Sequence, residues 1–207
     1  MRIELLYITP NAEKVIEKAG RTSYQSFEKQ TENSYKKFIT MLIRSKHESV
    51  LEHASASFKI SGISRALTHQ LVRHRLCSFT QQSQRYVNEN DFNYIEPDEI
   101  KNNPSAHKIY TELMEHVRTQ YSQLRDLGIR KEDARFILPN SIESEIIMTA
   151  NFRELRHVIR LRGEKAAQWE IRRLAIEILK ILKREVPNVF QDMEINEKDQ
   201  TIQVKEV

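Results

Sequence analysis

Glycine is nearly missing from this chain: 207 residues contain four, Gly20, Gly62, Gly128 and Gly163, each alone in its neighbourhood. A Rossmann fingerprint or a P-loop needs clustered glycines, because only there can backbone N–H groups close on a phosphate. Both architectures are therefore excluded. Any phosphate this protein holds must be gripped by side chains, arginine above all.

The length fits one large domain at roughly 150 residues per domain, able to bury about 70% of its unfolded surface. With 39% hydrophobic and 30% charged residues, the composition is neither disordered nor membrane-like. No apolar run approaches the ~20 residues of a spanning helix, and the opening residues 1–7 lack a signal-peptide layout. The lone Cys77 excludes an internal disulfide framework or a Cys-only zinc site. A reducing, cytoplasmic setting is expected.

No repeat, low-complexity block or linker interrupts the sequence, so one continuous domain over 1–207 is expected, with 190–207 as a C-terminal extension. Tyr35, Phe38, Ile39 and Leu42 predict a helix over 28–46. Alternation at Ala54, Ala56, Phe58 and Ile60 predicts a half-buried strand over 53–60. Ser61 or Ser64 then caps a helix whose inner face is Ile63, Ala66, Leu67 and Leu71. Residues 76–95 read as loop and extended chain. After Pro104, Ile109, Leu113, Val117, Tyr121 and Leu124 mark a long amphipathic helix that stops at Gly128. A short helix over 131–138 ends before Pro139. Residues 141–149 fit a strand or a helix. Asn151 with Glu154 resembles a capping box for a helix to about Arg162, and a final helix covers 164–185. The tail 190–207 fits a hairpin or a frayed end. Helices with several short strands make the class α+β, a helix-rich domain with a short-stranded sheet.

The formal charge of +4 is unevenly spread. Between Glu52 and Glu89 there is no Asp or Glu, while Lys59, Arg65, Arg73, Arg75 and Arg85 are all basic. Such a window suits either an anion-binding surface or a core strand and helix with a few solvated arginines. Helical spacing puts Arg65, His69 and Arg73 on one side of the helix. Beyond it, Ser78, Thr80, Gln81, Gln82, Ser83, Gln84 and Arg85 form a run of hydrogen-bonding groups closed by a cation. Arginine grips phosphate bidentately and Ser, Thr and Gln satisfy amide-like edges, so a nucleotide fits this array. A second basic stripe at Arg153, Arg156, His157 and Arg160 reads either as functional or as an ordinary solvated face.

The stretch from Arg73 to Arg85 matches RHRxxSxxxxSxR at every fixed position, six specified residues over thirteen. By this motif the chain resembles the flavin-dependent thymidylate synthases. His47 to His53 is similar to the family's HE(T/S)xxEH segment, Asp133-Ala134-Arg135 with Leu138-Pro139 to its AR…LP element, and Asn151–Arg162 with Gln168-Trp169-Glu170 to its C-terminal helices. The resemblance covers roughly residues 20–190. It implies the family's α+β fold and an enzyme that methylates dUMP to dTMP, with 5,10-methylenetetrahydrofolate as carbon donor and NADPH as reductant through tightly bound FAD. It also implies a homotetramer with active sites at subunit interfaces. Carried over by position, Gln70, Arg73, Gln81, Gln82, Ser83, Gln84, Arg85, Arg135 and Arg162 would hold dUMP. FAD would meet Ser49, Arg73, His74, Arg75, Gln81, Asn151, Arg153 and His157, with His47 beside that set. Arg162 matches the arginine that activates the uracil ring through N3. Gln81 stands where other members often carry Glu, and Ala166 where some carry His.

Cys77, flanked by Leu76 and Phe79, reads as a small packing residue rather than a nucleophile, although two nearby arginines could lower its pKa. Ser83 has no base beside it in sequence, so binding is its expected role. His47-Glu48 and Glu52-His53 lack the i,i+4 histidine pair of HExxH, so no metal is expected. A nucleic-acid-binding module is the rival reading, since a pI near 9.1 and two basic stripes would serve a phosphate backbone. The motif's scant aromatic interleaving and amide-rich loop favour a pocket instead. A helical interaction domain with a solvated basic face is the third reading.

Overall fold

The computed structural model describes residues 1–205. In chain order it contains β1 (Arg2–Ile8), α1 (Ala12–Thr22), a 3-10 turn at Phe27–Lys29, α2 (Ser34–Arg44), a 3-10 segment at Glu48–His53, β2 (Ser55–Ser64), α3 (Arg65–Leu71) and β3 (Ser78–Gln81). There follow α4 (Asp98–Lys101), α5 (Pro104–Asp126), α6 (Lys131–Ala134), a 3-10 turn at Arg135–Ile137, β4 (Glu143–Asn151), α7 (Phe152–Gly163), α8 (Trp169–Glu185), β5 (Met193–Asn196) and β6 (Thr201–Val204). The sheet order is β1-β2-β4-β3, and β5 and β6 form a separate antiparallel pair. The class is α+β.

Several elements depart from their predicted bounds for local reasons. The helix predicted from 28 begins at Ser34, because the Ser34 hydroxyl bonds both the N–H and the carbonyl of Thr31 and holds that turn outside the helix. Strand β2 runs on to Ser64, so the helix starts later than the Ser61 reading requires; Ser64 Oγ accepts from Leu67 N at 3.0 Å and is the cap. Arg73 consequently lies beyond α3 and does not continue the Arg65–His69 side of it. Residues 143–151 resolve as a strand, with alternating burial. Helix α8 begins at Trp169 rather than 164, since Gln168 Oε1 accepts from the N–H groups of Glu170 and Ile171.

The chain divides into two compact units. The first comprises Met1–Arg2, Ile60–Gln70 and Thr80–Ile146. Its core joins Phe92, Met114 and Ile142, flanked by Tyr94, Tyr110, Val117 and Leu138. Helix α5 buries the C-terminal part of the predicted stripe, with Tyr121 inside and Val117 packed against this core, but its N-terminal part departs from it: Ile109 and Leu113 are exposed, and Met114, outside the stripe, is buried instead.

The second unit comprises Ile3–Lys59, Leu71–Phe79 and the chain from Ile147 onward. Here α1 packs on α2 through Gly20, where an added Cβ would lie 2.5 Å from Phe38 Cε1. Helix α7 packs on α8 and on β6. Gly163 makes the latter approach possible, since a Cβ there would lie 2.6 Å from Ile202. The tail is thus an anchored hairpin, with Thr201 and Ile202 buried, rather than a frayed end; residues 206–207 of the expected extension lie outside the described residues.

Arg156 overturns the reading of residues 153–160 as one solvated or functional face. It is buried, and its guanidinium donates to both carboxylate oxygens of Asp192 at 2.7 and 2.6 Å and to the Val189 carbonyl at 2.6 Å. Glu48 accepts from its Nε at 3.4 Å. A buried pair costs desolvation when formed, but deleting one partner strands the other charge. Arg156→Ala is expected to destabilise the protein by about 3–5 kcal/mol, more than Arg160→Ala by a wide margin, as measured by chemical-denaturation midpoints.

Candidate active site

In the first unit, the expected nucleotide side chains sit on α3, β3, the loop after it and the 135–137 turn. Gln81 Nε2 donates to Thr68 Oγ1 and Ser144 Oγ, both at 3.0 Å, which fixes the amide and leaves its oxygen as an acceptor. The backbone N–H of Gln82 bonds Glu145 O at 2.9 Å, holding the loop to β4. Its side chain donates to Glu89 at 3.3 Å. The Ser83 carbonyl receives Tyr86 N and Val87 N, while Ser83 Oγ accepts from Arg85 N at 3.3 Å. Gln84 is buried in this loop, and half-buried Gln70 lies at the end of α3.

Arg85 and Arg135 both donate to Glu132. Arg85 Nε reaches the carboxylate at 3.3 Å, and Arg135 Nε donates to the backbone carbonyl at 3.1 Å. Arg85 also lines an open cavity of about 470 Å³ with Arg125, Arg130 and Lys131, a setting suited to a phosphate. Sequence reasoning did not count Arg65 and Glu89 among the site residues. Burial pulls the Arg65 pKa down, reinforced by Arg135 and opposed by Glu89. Burial likewise raises the Glu89 carboxyl, opposed by its bond from Gln82 and by Arg65. Glu89 is the acid that closes the acid-free window, which was its signal in the sequence.

In the second unit, the turn after α3 brings Arg73, His74 and Arg75 together, with the two arginines exposed and His74 buried. The Arg162 Nε donates to His74 Nε2 at 2.9 Å. Burial, then the Arg162 charge, then His157 push the His74 pKa down to about 4. The imidazole is therefore neutral near pH 7. Because an arginine can only donate, Nε2 must be the bare nitrogen and Nδ1 carries the proton. That Nδ1 faces Glu154 Oε1 at 3.7 Å, and His157 stacks edge-on to His74 with ring centres 5.8 Å apart. Partial burial lowers the Arg162 pKa too, but a guanidinium stays charged.

Glu154 is the residue missed here. The capping box is half fulfilled: Asn151 Oδ1 accepts from Glu154 N at 2.9 Å, while the Glu154 carboxylate lies buried beneath His74 and Cys77. Cys77 is buried, and burial, then Glu154, raise its thiol pKa to about 12. This sets aside the possibility that neighbouring arginines activate it. His74, Glu154 and His157 form a group with metal-ligand spacing that the sequence did not disclose. The proton on His74 Nδ1 and the adjacent Arg162 charge argue against a cation there.

Around this cluster, Ser49 is exposed on the 48–53 segment, Asn151 ends β4, and Arg153 and His157 are exposed on the first turns of α7. His47 is exposed just before the same segment, and Arg153 Nη1 bonds Glu52 at 2.5 Å. Arginines, a hydroxyl and an amide gathered near a helix N-terminus form a donor set that fits the pyrophosphate of a dinucleotide.

Residues 4–188 match the sequence model of the thymidylate synthase complementing protein family. A flavin-dependent thymidylate synthase of Geobacter sulfurreducens is 42% identical over 200 residues, covering 93% of this chain and 86% of the relative. Its counterpart from Clostridium tetani is 39% identical over 213 residues, covering 92% and 86%. The crystal structure of the Helicobacter pylori flavin-dependent thymidylate synthase, complexed with FAD and dUMP, is similar at a TM-score of 0.79 with 26% identity, covering 93% of this chain and 99% of that one. With its motif, its fold and these relatives in agreement, the chain belongs to the flavin-dependent thymidylate synthases, the thymidylate synthase complementing protein family.

Proposed function

We propose that the chain, acting as a single catalytic domain, reductively methylates dUMP to dTMP, with 5,10-methylenetetrahydrofolate as carbon donor and NADPH as reductant through FAD. In this reading Gln70, Arg73, Gln81, Gln82, Ser83, Gln84, Arg85, Arg135 and Arg162 bind dUMP. Ser49, Arg73, His74, Arg75, Gln81, Asn151, Arg153 and His157 hold FAD. The active form is a homotetramer with its sites at subunit interfaces, working in the cytoplasm; among the described residues no helix is long and apolar enough to cross a membrane.

The observation that carries the reading is the bond from Arg162 Nε to neutral His74 Nε2. It holds one edge of the guanidinium while the charge itself is not cancelled by the imidazole. A fixed cation of this kind stabilises negative charge developing on a uracil ring without needing to gain or lose a proton. Bound flavin supplies the hydride chemistry. The protein contributes no thiolate, since Cys77 is held protonated.

Arg162→Ala is expected to lower dTMP formation by about 100-fold or more while flavin absorbance and far-UV circular dichroism stay as in wild type; full turnover would remove the assigned role. Cys77→Ala should retain turnover, and the wild-type thiol should resist alkylation at pH 8 until the protein is unfolded. His74 contributes stability that is lost on acidification, because its folded pKa of about 4 lies below the ordinary 6.5. The unfolded chain then binds the extra proton, so falling pH favours unfolding between those two values. At pH 5 the loss relative to pH 7 should be about 2 kcal/mol, and His74→Gln should flatten this part of the profile in denaturation experiments.

A further inference from the structure

Helix α2 ends with a hydrogen-bond pattern that normally belongs to glycine. His47 N–H bonds Leu42 O at 2.9 Å and Lys46 N–H bonds Ile43 O at 3.0 Å, the paired bonds of a Schellman motif. Helix α5 closes with the same pair, Ile129 to Leu124 and Gly128 to Arg125, and places Gly128 at φ 83°. At the end of α2 the equivalent left-handed position is held by Lys46 at φ 56°. A side chain with a Cβ is disfavoured there, and backbone strain of this kind gathers at functional sites.

The strained lysine lies on the wall of a cavity of about 590 Å³ in the second unit, lined also by Arg44, Arg160, Arg156 and Lys205. That volume falls within the range of about 300–1,000 Å³ typical of small-ligand sites. Two carboxylates, Glu48 and Asp192, reach the same wall, but both are committed to buried Arg156. Lys205 pairs with Glu194. Arg44, Lys46 and Arg160 are exposed and have no carboxylate partner among the described residues. Two forked donors and one point charge, left unneutralised around a pocket, suit a compact dianion better than a planar carboxylate.

We propose that this cavity binds a phosphate dianion, free or as a monoester, through Arg44, Lys46 and Arg160. NADPH carries such a group in its 2′-phosphate, and that source rests on the function proposed above; inorganic phosphate is the other source. The site shares no residue with the dUMP or FAD sets.

The test uses flavin-loaded enzyme with saturating dUMP, so that the nucleotide's own phosphate site is filled. Calorimetric titration with inorganic phosphate should detect binding to wild type and an affinity about tenfold weaker in Lys46→Gly and Arg160→Gln. Lys46→Gly should also melt at a higher temperature than wild type, because glycine relieves the strained turn; Arg160→Gln should not. Gaining stability while losing affinity is an outcome that a purely structural lysine would not give. A rise in KM for NADPH with KM for NADH unchanged assigns the dinucleotide as ligand, whereas weakened phosphate binding with both KM values unchanged assigns free phosphate. Absent phosphate binding in wild type, or equal affinity in all three proteins, overturns the site. A wild-type enzyme that makes no dTMP would instead overturn the proposed function and leave the phosphate titration to be read by itself.

Discussion

The Arg156–Asp192 ion pair is the constraint on which the second unit's site depends. One guanidinium is satisfied by a carboxylate and a carbonyl near the end of α8 and by Glu48 on the 48–53 segment. It thereby fixes α7 relative to the segment that carries Ser49. Arg153 and His157 project from the same helix, so their placement follows from a charge they do not touch. Burying an arginine is costly unless its donors find acceptors, and four of the five N–H groups of Arg156 do so here.

A second layer of organisation runs through Glu154, His74 and Arg162. Each member constrains the next by what it can donate. The guanidinium can only give a hydrogen, so the imidazole must accept, and its remaining proton turns toward the buried carboxylate. Glu154 is excluded from the helix-capping bond its spacing suggests because this cluster claims its side chain. The same carboxylate makes the neighbouring thiol harder to ionise. Local motif and tertiary site compete for one residue, and the site wins.

Much of this was legible in the sequence where a rule is local. The amphipathic core faces, the Asn151 cap, the stop at Gly128 and the thirteen-residue motif all depend on neighbours in the chain. The proposed residue roles rest on the family resemblance, since periodicity alone does not reach them. What escaped depends on distant partners. Arg156 and Arg160 look alike in a basic stripe, yet one is bound to Asp192 and the other faces solvent. The N-terminal part of the α5 stripe is misjudged, since Met114 rather than Ile109 and Leu113 packs with Phe92 and Ile142, while Val117 and Tyr121 follow the spacing. The hairpin's anchorage similarly rests on Gly163, whose missing side chain is an opening only when Ile202 is brought against it.

The burial of Cys77 has a meaning beyond its exclusion from nucleophilic attack. An enzyme that passes reducing equivalents through a flavin works beside species able to oxidise sulfur. The oxidation ladder of cysteine begins from the thiolate, and this sulfur is kept almost wholly in the thiol form. The chain therefore has no cysteine through which peroxide could write a sulfenic acid or a mixed disulfide in the folded state. Its electron traffic is confined to groups it binds, and the polypeptide keeps no cysteine-based memory of the redox conditions around it.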